Sequence, residues 1–169
     1  MKVLLIAVAI LLMANAAYAD FDFNSGYAGF FKLNEDGTAS TGGVPIGFTY
    51  RPEVVDRDTK AVHMSRVPIF LAYDYSKDKP DMIWAGAGWS FGRWEGYEVL
   101  AEFDGLLEDR GDVTALGFMG GVRALATIGG QGFLVRCLGG WLPDTNGCMA
   151  ISIGFTTEST DKEAITEWK

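Results

Sequence analysis

The sequence predicts an all-β protein, an antiparallel eight-stranded up-and-down barrel of the membrane type behind a cleavable export signal. Three observations predict it. Eight stretches alternate apolar residues with small or polar ones at a period of two. Clusters of Gly, Asp, Asn and Pro separate them. After residue 19 no stretch is long and apolar enough to cross a bilayer as a helix. A chain that enters lipid without such a helix must close its sheet, since only then is every backbone N–H and C=O satisfied.

The export signal comes first. Met1-Lys2 supplies a positive charge, Val3 to Met13 an apolar run, and Ala17-Tyr18-Ala19 the small-x-small pattern of a cleavage site. The run falls well short of the roughly 20 residues a spanning helix needs. Cleavage after Ala19 is expected, leaving Asp20 as the mature N-terminus. No Cys stands nearby to carry a lipid. The expected layout is a signal peptide over 1–19, a barrel domain over 20–157 and a polar tail over 158–169. Loss of Lys2 takes the net charge from −8 to −9. An acidic chain without a basic stretch is not expected to bind nucleic acid.

The eight stretches follow in order. In the first, Phe21, Phe23, Tyr27, Phe31 and Leu33 oppose Asp22, Asn24, Gly26, Ala28 and Lys32. In the second, Val44, Ile46, Phe48 and Tyr50 oppose Pro45, Gly47, Thr49 and Arg51. The third sets Ile69, Leu71, Tyr73 and Tyr75 against Ala72 and Asp74; the fourth sets Ile83, Ala85, Ala87, Trp89 and Phe91 against Gly86, Gly88 and Ser90. The fifth opposes Tyr97, Val99, Ala101 and Phe103 to Glu98, Leu100, Glu102 and Asp104. The sixth opposes Leu116, Phe118, Val122 and Ala124 to Ala115, Gly117, Gly121 and Arg123. The seventh opposes Phe133, Val135, Cys137 and Trp141 to Leu134 and Arg136; the eighth opposes Met149, Ile151, Ile153 and Phe155 to Ala150, Ser152 and Gly154. A turn at 56–59 would let the second and third stretches extend through Val54-Val55 and Ala61-Val62.

The apolar faces are rich in aromatics, as where a barrel wears girdles at both membrane interfaces. The opposite faces carry Gly, Ala and Ser with isolated charges of both signs, which suits a narrow, filled interior. Loops at 35–43, 76–82, 105–112 and 142–148 are then expected outside the cell. A soluble sandwich or barrel also alternates, so a soluble exported ligand-binding barrel stands as an alternative.

On these residues the mature chain resembles the small eight-stranded outer-membrane barrels, the OmpA-like, OmpX-like and lipid A palmitoyltransferase proteins. The stretch Ile83-Trp84-Ala85-Gly86-Ala87-Gly88-Trp89-Ser90-Phe91-Gly92-Arg93-Trp94, flanked by Ala72-Tyr73-Asp74 and Leu100-Ala101-Glu102-Phe103-Asp104, is similar to the front half of the palmitoyltransferase. The position matching that family's catalytic His reads Pro68, and its Asp-Ser pair falls near Asp104-Gly105-Leu106, leaving Asp104 as the matching acid. The resemblance implies an outer-membrane location and membrane lipid as partner. Its aromatic-ended last strand matches Phe155, though a tail to Lys169 follows.

Three sets of residues are candidates for chemistry. His63 and Ser65 share one face of a strand, and a His that activates a Ser is sound nucleophile chemistry if Glu53, Glu98 or Glu102 completes it. Solvated strand-end residues fit the same pattern. Arg123 and Arg136 come next. A two-residue turn at Gly129-Gly130 would set them face to face inside the barrel, where Glu98 and Glu102 are expected to neutralise them. Such a cluster fills the barrel or receives an anionic head group. Cys137 and Cys148, in an exported chain, can pair or stay free; their parity puts them on opposite faces, so a bridge needs a bulge. One His and two distant Cys make no metal set, and no cofactor is expected.

The function expected first is non-enzymatic: a monomeric outer-membrane barrel with a structural, protective or surface-interaction role. A lipid A acyltransferase or deacylase is the enzymatic alternative.

Overall fold

A computed structural model describes residues 19–157 except 56, 61, 76–80, 110 and 112. It contains nine strands: β1 (Ala19–Asn34), β2 (Gly37–Val55), β3 (Val62–Met64), β4 (Ile69–Tyr75), β5 (Asp81–Trp94), β6 (Tyr97–Asp109), β7 (Thr114–Ile128), β8 (Gln131–Trp141) and β9 (Gly147–Thr156). All but β3 form one antiparallel wall, in which β1 pairs with both β9 and β2 and so closes the sheet. The fold is a closed eight-stranded antiparallel barrel, with no helix among the described residues.

The barrel's size follows from its register. Lys32 lies opposite Cys148, Cys148 opposite Gly140, and Gly140 opposite Met119. The line continues through Asp104, Gly86, Phe70 and Thr49 to Asp22. One circuit that leaves β1 at residue 32 therefore returns to it at residue 22, ten residues lower. Eight strands with that shear tilt by about 40° and enclose a backbone radius of about 8 Å. A tube so narrow is filled by its own side chains.

One end gathers the start of β1, the end of β9, the turns Glu95-Gly96 and Gly129-Gly130, and the β2–β3 hairpin. The other, the loop end, carries the Glu35-Asp36 turn, the end of β4 and the start of β5, the end of β6 and the start of β7, and the 142–146 connection. Gly129 and Gly130 both have positive φ, 61° and 79°, the geometry of a type I′ hairpin turn. The β2 extension holds: Val55 pairs with Val62 and Glu53 with Met64. The loops differ from expectation. Residues 37–43 are strand paired to β1, 81–82 open β5, 105–109 continue β6 and 147–148 open β9, so only Glu35-Asp36 turns in the first. The first of these stretches is small and polar because it rises toward the rim, not because it leaves the sheet, whereas 105–109 carries Leu106 into the barrel interior.

Residues 1–18 and 158–169, which include nearly all of the expected signal peptide and the tail, lie outside the described residues. The barrel itself runs from Ala19 to Thr156. Thr157 ties its end down, donating its hydroxyl to Asp22 (3.0 Å) and accepting the Phe23 N–H (2.9 Å).

Side chains inside the barrel stack in layers. Near the loop end Phe30, Met82, Trp84, Leu106, Met119, Leu138 and Leu142 form an apolar plug. Phe70, Leu100, Leu125 and Leu134 form a second, smaller one toward the termini. Charges lie between and beyond these plugs. The inward face of β6 shows the alternation in one strand: Glu98, Leu100, Glu102, Asp104, Leu106 and Glu108, all buried.

Backbones of neighbouring strands come close where inward glycines stand. A Cβ on Gly121 would collide with the Cys137 carbonyl oxygen and sit 2.9 Å from the Leu138 Cα. Neighbouring strands approach there as only glycine allows.

Candidate functional site

The polar centre of the barrel grows from the β7–β8 hairpin. Its I′ turn fixes the register so that Arg123 lies directly opposite Arg136, both pointing inward and buried. Two guanidinium groups this close repel, and Arg cannot shed its proton to escape. Glu102, its side chain wholly buried, stands between them. It accepts from Arg123 Nε (2.7 Å) at Oε2 and from Arg136 Nε (2.7 Å) at Oε1. Arg136 Nη2 lies 2.6 Å from Glu102 Oε1 and also donates to Asp104. Arg123 donates from Nη1 to the Thr49 hydroxyl (3.2 Å), which also accepts from Asn24 Nδ2 (2.8 Å).

Aromatic faces complete the enclosure. The Arg123 guanidinium lies 3.5 Å from the Phe70 ring centroid, and that of Arg136 lies 5.1 Å from the Trp84 ring. Two guanidinium groups thus meet two carboxyl groups within one buried cluster.

Glu98 is not in this cluster. It binds Arg51 Nη2 (3.0 Å) in a separate layer near the termini, with Arg93 Nε 3.8 Å away. Strand tilt is the reason. At about 40°, residues equidistant from Arg123 along the register stand at different heights. Glu102 is level with Arg123, and Glu98 lies nearly a full layer below. Asp104 takes the place expected for Glu98.

Arg93 is a partner that alternation alone would miss. A bulge between Ser90 and Gly92 adds one residue to β5 and turns Arg93 inward, opposite Glu98. The phase change at Phe91-Gly92 was the available signal. A further ion pair, Lys32 with Glu108, caps the plug at the loop end.

The nucleophile candidates are spread through the fold. Asp104 is locked to Arg136 mid-barrel. Ser65 lies at the terminal end, where its Oγ accepts the Val67 N–H (3.0 Å) and its carbonyl accepts from Arg51 (3.1 Å). Glu53 pairs with Met64 on the β2–β3 hairpin. The His63 side chain lies outside the described residues.

Cys137 and Cys148 are both free. Cys137 is on the outer surface and Cys148 is buried inside, on opposite sides of the wall. Thiol titration of the unfolded, unreduced protein is expected to find two thiols. Finding none would mean that β8 or β9 is irregular near 142–146.

No family model and no curated protein matches the chain. Among solved structures it is similar to the crystal structure of Neisserial surface protein A, with a TM-score of 0.46 and 13% sequence identity. The match covers 82% of this chain and 97% of that one.

Proposed function

We propose that this chain is a monomeric outer-membrane barrel whose role is structural, protective or surface-interacting, with membrane lipid as its partner. One observation carries this reading: the apolar wall of the barrel faces outward all the way round. Every wall strand contributes: Tyr27 on β1, Phe48 on β2, Ile69 on β4, Trp89 on β5, Phe103 on β6, Phe118 on β7, Val135 on β8 and Ile153 on β9 are all exposed. In water such a band would be far larger than the few hundred Å² of apolar patch a soluble monomer carries. In lipid it is the required surface.

The band is graded along the axis. Trp94 stacks on Tyr97 and Phe133 packs on Phe155 toward the termini, while Phe118 packs on Trp141 toward the loops. Aliphatic residues such as Val122, Val135 and Ile151 lie between. Aromatics at two levels with aliphatics between them match the two interfaces of a bilayer. The two apolar plugs and the buried, internally hydrogen-bonded cluster favour a filled support over a conduit for ions.

Fractionation tests the reading. The exported protein is expected in the outer-membrane fraction, to stay there through urea extraction, and to migrate faster on a denaturing gel before boiling than after. Recovery in the soluble periplasm, with no change on boiling, would return the soluble alternative.

A further inference from the structure

We propose that a cavity behind the β1–β2 seam binds the hydroxyl group of a hydrocarbon chain that approaches from the lipid side. The cavity lies between the arginine cluster and the inner surface of β9, β1, β2 and β4, and encloses about 30 Å³. A water-sized group takes about 10–15 Å³ by that measure, so a hydroxyl and the carbon that bears it fill the space. The site belongs to the barrel itself; only the direction of approach rests on the membrane reading.

The sequence makes both the space and the way in. The inward positions on this side are Gly26, Gly47, Ala72 and Gly154, which project little or nothing into the lumen. The same patch contains a lapse in the wall. β1 and β2 pair as far as Ser25 opposite Ile46 and resume at Ala28 opposite Gly43, with no pairing at Gly26-Tyr27 and Val44-Pro45. Pro45 has no N–H to give to a ladder. The Tyr27 phenol does not cover the lapse, since it lies over Gly42, toward the loop end. Outside, Phe48 and Ile153 offer exposed apolar surface to a chain.

The polar lining selects the ligand. Asn24 is buried and donates from Nδ2 to Thr49, but its Oδ1 has no hydrogen-bond partner. A buried acceptor left so costs free energy, and it calls for a donor. Arg136 donates from Nε and Nη2 to the carboxyl groups, which leaves the N–H groups of Nη1. Ser152, also buried, adds a hydroxyl to the lining. One alcohol can donate to Asn24 and accept from Arg136 or Ser152. A carboxylate only accepts, so it would leave Asn24 Oδ1 unsatisfied and add negative charge beside Glu102 and Asp104. An alkyl group would satisfy none of them. Depth adds to the selection. Arg136 follows Val135, between the two aromatic levels, where hydrocarbon gives a hydroxyl no partner. A hydroxyl part-way along an acyl chain would lie at this depth.

The test is NMR titration of the full exported chain, folded in detergent micelles, following the Asn24 side-chain amide and the Arg136 Nε–H. The probes are 1-hexanol, hexane and, at about pH 8, ionised hexanoate. 1-Hexanol is expected to shift both signals saturably, hexanoate to bind at least about tenfold more weakly, and hexane to move neither. Ser152→Ala should weaken 1-hexanol about three- to tenfold, the worth of one hydrogen bond. Ala72→Leu, which fills the cavity, should abolish binding. The gel shift on boiling reports that each variant is folded. Displacement of 1-hexanol by 12-hydroxystearoyl phosphatidylcholine, but not by stearoyl phosphatidylcholine, would assign a membrane source; displacement by neither would assign a small free alcohol. Binding by a protein that fractionates as soluble would overturn the approach from lipid and leave the site. No saturable shift, hexane or hexanoate acting as strongly as 1-hexanol, or undiminished binding in folded Ser152→Ala and Ala72→Leu would overturn the site itself.

Discussion

Glu102→Gln is expected to destabilise the barrel by about 3–5 kcal/mol, the scale for stripping one partner from a buried ion pair. The glutamate serves both arginines of a directly opposed pair. Without its charge, Arg136 keeps Asp104, whereas Arg123 keeps only a neutral hydroxyl at Thr49 and the face of Phe70. The repulsion between the two guanidiniums is then only half offset, away from water. Glu98→Gln should cost less, because Arg51 retains the Ser65 carbonyl and its layer contains no facing pair of arginines. Urea unfolding in lipid vesicles measures both. An Glu102→Gln barrel as stable as the parent would mean that water or a bound anion already reaches the arginines.

Gly121→Ala is expected to cost about 3 kcal/mol or more, at or beyond the upper end of overpacking penalties. The added methyl would meet main-chain atoms of Cys137 and Leu138, which cannot rotate away as a side chain could. Relief requires β7 and β8 to separate, and that loosens the hairpin holding Arg123 against Arg136. Gly105→Ala is the matched control. Its Cβ would face outward with nothing closer than the Ala85 carbonyl oxygen at 3.6 Å, so a change within about 0.5 kcal/mol is expected. Equal losses in the two variants, read from the same unfolding titrations, would show that the close approach of β7 and β8 is not what places glycine at 121.

Much of the fold can be read directly from alternation. Parity alone assigns Asp22, Arg51, Asp74, Glu102, Arg123 and Arg136 to the interior, and the Gly-Gly turn fixes the opposition of the two arginines. The interior's own apolar residues are harder to read. Phe30, Phe70 and Trp84 point inward although their hydrophobicity suggests lipid, because a lumen of this radius needs bulk as well as charge. Pairings across the barrel are harder still. The choice of Glu102 over Glu98 depends on strand tilt, and tilt depends on how the whole sheet closes, which no local window contains. The inward turn of Arg93 depends on a single extra residue, and a period-two reading passes through it without noticing the phase slip.

The ten-residue return from Lys32 to Asp22 has an arithmetical consequence. Residues that meet on closing must face the same side, so the displacement on one circuit can take only even values. A single residue inserted within any fully paired strand could not be shared around the wall. It would turn the rest of that strand inside out, sending carboxylates to the apolar outer face and valines against arginines. The girth of this barrel is therefore stepped, and lengthening by pairs is the only gradual route to a wider or narrower relative. The one odd residue the wall does accept, at Phe91, sits just short of the Glu95-Gly96 turn. There, only a few positions remain to be reversed before the chain turns back.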